Sequence, residues 1–282
     1  MSVTKVWESR ITCKTETINF GFGDIYRYRD LLFLFVKRDF IAFYKQTILG
    51  PLWFFIQPLL MTLTYVFIFG RVANLSSDGS SYLLFYLCGI ITWTYFSDAV
   101  NQTSTTFTKN AQLFGKVYFP RIITPLAVVI TNLLKLSIQL CLFGFILVIY
   151  LVKGEQVEPN ITILAYPLLV LVMGMLGLGI GLLVSSLTTK YRDLQFLIQF
   201  SVQLLMYAST LIFPLSSLEG KFRLIILCNP MSSIIETSRF MFLGTGSIPY
   251  YALLYTAVVS IVLFFFGIFV FNRTEKNFMD SV

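Results

Sequence analysis

The chain has 282 residues, of which 56% are hydrophobic, 17% aromatic and 12% charged, with a mean hydropathy of +0.78. A soluble globular domain carries roughly 25% charged residues, so the composition is that of an integral membrane protein, and the net charge of +7 reads as orientation and contact with anionic lipid rather than nucleic-acid binding. The absence of histidine removes the commonest metal ligand and general base, and Cys13, Cys88, Cys141 and Cys228 stand apart without a CxxC pair, which disfavours a disulfide framework or a zinc site.

Residues 1–28 read as an extension before a membrane domain at 29–282. Their scattered charges leave no apolar core of the kind a secretory signal needs, so the first span is expected to direct insertion. Next, "YRYRDLLFLFVKRDFIAFYK" places Arg27, Asp30, Lys37, Arg38 and Lys45 near one helical face and Leu32, Phe35, Val36, Phe40 and Phe43 on the other. That pattern predicts a basic amphipathic helix in the headgroup region. The alternative, the first turns of a longer first span, is opposed by Gly50-Pro51, because proline removes a donor and pushes its predecessor out of the helical region. Gln57-Pro58 then weakens the ladder inside the first span itself.

Six apolar runs are long enough to cross a bilayer core about 30 Å thick: 52–69, 82–107, 122–151, 161–187, 194–213 and 250–271. The predicted fold is therefore an all-α integral membrane protein with six transmembrane helices behind an N-terminal amphipathic interfacial helix. An even number of spans puts both termini on one side. Fifteen of the 21 Lys and Arg residues fall on that side and five on the other, with Lys135 inside a span, and this bias predicts cytoplasmic termini. Most connections are short. The exception, 214–249, holds two apolar pieces, "FRLIILCNP" and "MSSIIETSRFMFLG", each too short to span, and predicts two short re-entrant helices joined at Asn229-Pro230.

Charges inside spans mark function by default, and Asp98 and Lys135 are the clear cases. They form either a structural pair between consecutive antiparallel spans or two groups facing a hydrated interior. Aromatics crowd the first two spans, among them Trp53, Tyr65 and Trp93, and serve either as lipid-facing and interface residues or as the wall of a conduit for sugars. The Gly177-xxx-Gly181 pair permits close helix approach, with self-association as the lesser reading. On the side of the termini, "NAQLFGKVYFPRIITP" mixes aromatic and basic residues and suits the groove of a cytosolic partner, although an ordinary basic loop has the same composition. There is no GxxxxGK[ST], so any ATP-driven activity must use a motor on another chain.

Four stretches together, "YKQTILGPLWFFIQPLL", "KVYFPRIITPL", "KYRDLQFLIQF" and "FPLSSLEGKFRLIILCNPMSSIIETSRFMFLG", resemble the permease subunits of type-2 ABC exporters that move O-antigen, teichoic acid and related glycans. The resemblance runs from about residue 28 to the end of the chain; residues 1–24 have no counterpart in it. It implies a homodimer working with two cytosolic P-loop ATPase subunits, ATP and magnesium being held by the partner and no cofactor by this chain. It also implies that Leu113, Phe114, Gly115, Lys116, Val117, Tyr118, Phe119, Pro120 and Arg121 couple to the ATPase, together with Lys190, Tyr191, Arg192 and Asp193. The re-entrant pair near the outer exit corresponds to 222–228 and 232–243, with Asn229, Pro230, Glu236 and Arg239. Trp53, Tyr65, Trp93, Asp98 and Lys135 are the candidates for the channel lining.

The expected function is thus export of a lipid-linked polysaccharide across a bacterial inner membrane, by a subunit that is not itself an enzyme. Two alternatives remain at this point. One keeps the fold and carries a drug or a lipid; the other is an integral membrane glycosyl- or acyltransferase, which the lack of a clustered set of His, Asp and Glu at a membrane surface disfavours.

Overall fold

A computed structural model describes residues 22–45, 47–117, 119–155 and 157–278, with the side chains of 22, 24 and 275–278 excluded. The described residues form helices and turns and no strand. In chain order these are α1 (Phe22–Arg27), α2 (Arg29–Tyr44), a 3₁₀ turn (Gly50–Leu52), α3 (Trp53–Tyr65) running into a π-helical end (Val66–Val72), α4 (Tyr82–Ser104) and α5 (Thr106–Phe114). There follow α6 (Ile123–Val152), α7 (Tyr166–Thr188) behind a 3₁₀ turn at Ile161–Ala165, α8 (Leu194–Tyr207), α9 (Gly220–Cys228), α10 (Pro230–Leu243) and α11 (Tyr250–Phe278). Among the described residues, five segments are long and apolar enough to cross a membrane: Gly50–Val72, Tyr82–Ser104, Ile123–Val152, Ile161–Thr188 and Tyr250–Thr274.

The break before the first of these is where Gly50-Pro51 puts it. Gly50 sits at φ +52, a left-handed conformation that glycine adopts without a Cβ penalty, and Pro51 opens the following turn, where its missing N–H costs nothing. Inside α3, Pro58 cannot donate back to the Phe54 carbonyl, and the Thr62 hydroxyl donates to the Pro58 carbonyl at 2.7 Å. The wider π-helical end beyond Tyr65 is a feature that hydrophobic periodicity does not reveal.

Helix α4 is the centre of the molecule, with most of its residues buried. It meets α7 through small residues: a Cβ on Gly177 would lie 2.8 Å from the Ala99 Cβ, and one on Gly181 would lie 2.5 Å from the Thr103 Cβ. The opposite side of the same stripe packs on α11, where Gly179 and Gly267 are so close that a Cβ on either would reach within 2.6 Å of the other helix's backbone. The glycine pair of α7 therefore serves packing within the chain, as small-residue stripes do in lipid, where burial of apolar surface no longer drives helices together.

Two apolar runs end earlier than their composition predicts. The second run was expected to reach 107, but the chain leaves the helix at Thr105 and begins α5 on a new axis. The fifth was expected over 194–213, whereas α8 stops at Tyr207. Its 14 residues rise only about 21 Å. Residues 208–213 continue without helix: side chains of the α9–α10 segment, Asn229 and Arg239, take the carbonyls of Ala208, Thr210 and Leu211, and Tyr86 of α4 takes that of Ile212.

Candidate functional site

On the side of the chain termini, α5 ends at Phe114 and the chain turns through Gly115, Lys116 and Val117, all exposed, before Phe119 re-enters the interior. Tyr118 lies outside the described residues. Three aromatic contacts hold the segment: Phe119 packs edge-on against Phe35 of α2 at 5.6 Å, Phe114 sits 5.8 Å from Phe119, and Phe107 stacks on Phe271 of α11 at 4.5 Å. Arg121 is buried and lays its guanidinium 5.4 Å from the Phe114 ring, while Pro120 is partly covered. Leu113 joins the same apolar cluster. A short exposed element is thus clamped at one end to α2 and at the other to α11.

The second predicted surface, Lys190, Tyr191, Arg192 and Asp193, forms the turn between α7 and α8. All four are exposed, and the Lys190 ammonium stands 5.3 Å from the Tyr191 ring. Thr188, just before the turn, donates to the Ser104 carbonyl at 3.1 Å, and Ser185 receives the Phe107 N–H at 3.5 Å. The ends of α4 and α7 and the start of α5 are thereby tied at the same level.

Within the membrane region the Lys135 ammonium donates to Asp98 Oδ2 at 2.6 Å, with the two side chains 14% and 31% exposed. The two charges pair, and both line a cavity of about 340 Å³ together with Phe43, Gly50, Trp53, Phe54, Gln57 and Gln102. Lys135 also lies 4.4 Å from the Phe43 ring centre, a cation–π arrangement. Trp53 joins these residues in the cavity wall. Tyr65 and Trp93 do not: Tyr65 is buried and donates to the Met206 sulfur at 3.6 Å, and Trp93 is buried against Phe96 at 5.5 Å.

At the far end, Asn229 caps α10 by accepting from the Met231 N–H at 3.1 Å, and its amide nitrogen donates to the Leu205 and Ala208 carbonyls at 2.9 Å each. Pro230 occupies the first turn and Gly244, at φ +74, closes the helix, the arrangement that cap chemistry favours. Arg239, expected on the second of the two short re-entrant pieces, is fully buried. Its guanidinium donates to the carbonyls of Phe85 at 3.3 Å, Thr210 at 2.5 Å and Leu211 at 2.8 Å and lies on the Phe85 ring at 3.5 Å. Glu236 is also buried, 3.8 Å from Arg239, and its Oε2 has no hydrogen-bond partner. Burial pushes its carboxyl above the usual range while Arg239 pulls the other way. The i,i+3 charge pair inside "IIETSRFMF", an apolar piece too short to span, is the one signal from which this buried pair is recognisable.

Several apolar helices long enough to cross a bilayer, an ion pair on a polar cavity between them and a clamped surface segment define a multi-pass α-helical membrane protein of the transporter type. The chain belongs to the ABC-2 type transporter family, whose model matches residues 30–243. It is 29% identical over 253 residues, 89% of this chain and 94% of the other, to an O-antigen export system permease protein RfbA of Klebsiella pneumoniae. It is 28% identical to the protein of the same name from Myxococcus xanthus, over 92% of this chain and 98% of that one. A third relative, the polysialic acid transport protein KpsM of Escherichia coli, is 26% identical over 83% of this chain and 89% of its own length.

Proposed function

We propose that this chain is the membrane subunit of an ATP-driven exporter that carries a lipid-linked polysaccharide from the cytoplasm across the inner membrane, through a channel formed between two copies of itself. The observation that carries this reading is the near end-to-end similarity to permeases named for O-antigen export. In it, both termini are cytoplasmic, the short α8 with residues 208–213 is the sixth crossing, and α9 and α10 are the re-entrant pair at the outer exit. The Trp53, Asp98 and Lys135 cavity lies toward the cytoplasmic end of that path.

The geometry supports a specific coupling route. ATP and magnesium sit on two cytosolic P-loop ATPase subunits, which engage Lys116 and Val117 on one turn and Lys190 to Asp193 on the other. A displacement of α5 passes through Phe114 and Phe119 to Phe35, and through Phe107 to Phe271. Both the interfacial helix and the last span therefore move with it.

The test is complementation in a strain lacking the chain. Wild type restores polysaccharide at the cell surface, while Tyr118→Ala and Pro120→Ala insert normally and restore little of it. Unchanged export by both variants would refute the coupling role, and glycan reaching the surface without the chain would refute the cargo. Efflux of a drug or a lipid with no effect on glycan would assign the fold a different substrate.

A further inference from the structure

The cavity behind Trp53 has a chemistry that packing alone does not require. Shutting an ion pair away from water costs desolvation that its attraction often fails to repay, and Asp98 and Lys135 both keep exposed surface toward the cavity, where a polar ligand can reach them. A carboxylate offers about four acceptor positions and an ammonium three donors, and one of each is used in their mutual bond. Gln102 accepts from the Asn132 amide at 3.2 Å, so its own N–H donors remain for the cavity, and Gln57 stands on the same wall. The lining thus presents one acceptor of negative charge beside a group of donors that includes one positive charge.

That set discriminates by charge. A purely anionic ligand meets Asp98, a purely cationic one meets Lys135, and a ligand carrying both signs a few ångströms apart satisfies both. The entrance decides what kind of molecule brings such a group. Gly50 and Trp53 lie on the cavity wall where the chain turns from α2 into α3, and beside them Ile48 is 104% exposed, with Leu49 and Leu52 also exposed. An apolar collar with a tryptophan at the interface is suited to acyl chains and headgroups rather than to a soluble solute.

We propose that the cavity binds the headgroup of a zwitterionic phospholipid with a primary amine, of the phosphatidylethanolamine type, from the leaflet on the side of the termini. Its ammonium donates to Asp98, its phosphodiester oxygens accept from Lys135, Gln57 and Gln102, and its acyl chains lie along Ile48, Leu49 and Leu52. A primary amine is specified because it can donate hydrogen bonds to the carboxylate and a quaternary one cannot. The proposal rests on the membrane orientation given above and not on the cargo, so its failure leaves the exporter reading intact.

The test uses the full chain in vesicles of equal parts phosphatidylethanolamine and phosphatidylglycerol, extracted gently and weighed with its retained lipid by native mass spectrometry. Retained phosphatidylethanolamine should exceed phosphatidylglycerol about tenfold, the ratio that 1.4 kcal/mol of preference produces, and soluble glycerophosphoethanolamine should displace it. Asp98→Asn should bring the ratio back to that of the vesicle, while Gly144→Ala, where an added Cβ meets nothing within 4 Å, should leave the enrichment unchanged. Gln57→Leu removes a donor without touching the ion pair and should also lower the ratio, which decides the matter if Asp98→Asn does not fold. An unbiased ratio in the wild type overturns the proposal, as does full enrichment in Gln57→Leu, or displacement by a neutral monosaccharide but not by glycerophosphoethanolamine.

Discussion

The Arg239 guanidinium donates to the Thr210 carbonyl at 2.5 Å, so a fully buried charge on α10 terminates the backbone of the neighbouring α8 segment. Thr210 and Leu211 lie where the chain has left the helix and its carbonyls have no partner of their own. Arg239→Met should leave these carbonyls and that of Phe85 unpaired at once. The expected loss is at least about 3 kcal/mol, from about 1–3 kcal/mol for each buried carbonyl left unsatisfied, read as a lower melting temperature in detergent and a lower yield of folded protein. Glu236→Gln should cost less than about 1 kcal/mol, since Oε2 makes no hydrogen bond and burial already favours the neutral carboxyl.

Glycines at the contact of α7 and α11 face backbone rather than side chains. Gly179→Val and Gly267→Val should each abolish accumulation of folded protein, because the added carbon meets main-chain atoms of the opposing helix that no rotamer change can move aside. Gly144→Ala on α6, which faces open space, is the matched control. Membrane yield and size-exclusion profile separate the two classes.

Gly50 makes a different demand. Nothing lies within 4 Å of a Cβ added there, so only the positive φ opposes substitution. Gly50→Val should cost about 1–2 kcal/mol and Gly50→Asn clearly less, because asparagine enters the left-handed region more readily. Thermal melts of the two variants against wild type measure the difference.

Exposed charges at the two surface turns should act on association and not on folding. Lys116→Glu, and Lys190→Glu with Arg192→Glu, are expected to leave the melting temperature unchanged while lowering the amount of ATPase subunit that copurifies, most strongly at low salt. Equal recovery of ATPase with all variants at every salt concentration would remove these turns from the interface.

Asp98 and Lys135 should show coupled energetics. Asp98→Asn and Lys135→Met, measured singly and together, are expected to give an interaction free energy of about 0.5–3 kcal/mol, the double variant being less unstable than the sum of the two. Additive losses would show that the 2.6 Å contact contributes nothing to stability.

Most of the helices are readable from composition, because a bilayer imposes a length of apolar residues that nothing else in the chain needs. The Gly50-Pro51 turn and the Asn229-Pro230 cap are readable for the same local reason: each uses residues whose backbone chemistry has few other purposes. The Asp98–Lys135 pair follows from the cost of a lone charge in lipid. What periodicity does not reveal is the identity of a neighbour. Trp53, Tyr65 and Trp93 are chemically alike in the sequence, yet the first opens onto a cavity and the other two are sealed in the core. Arg239 reads only as one charge of a short re-entrant piece until the non-helical carbonyls of Thr210 and Leu211 are placed beside it. The halt of α8 at Tyr207 has the same origin, because it depends on side chains more than 20 positions further along the chain.

The contact of Gly179 with Gly267 also has a mechanical meaning. Two backbones that touch without intervening side chains leave no soft layer to absorb a displacement, so α7 and α11 are expected to move as a single pushrod. Its terminal-side end carries Phe271, stacked on Phe107 of α5. About 22 Å along the same axis, the Thr256 hydroxyl engages Ser233 and the Pro230 carbonyl at 2.8 and 3.1 Å. If α5 is displaced, the expected consequence is a matching displacement at the first turn of α10, carried by α7 and α11.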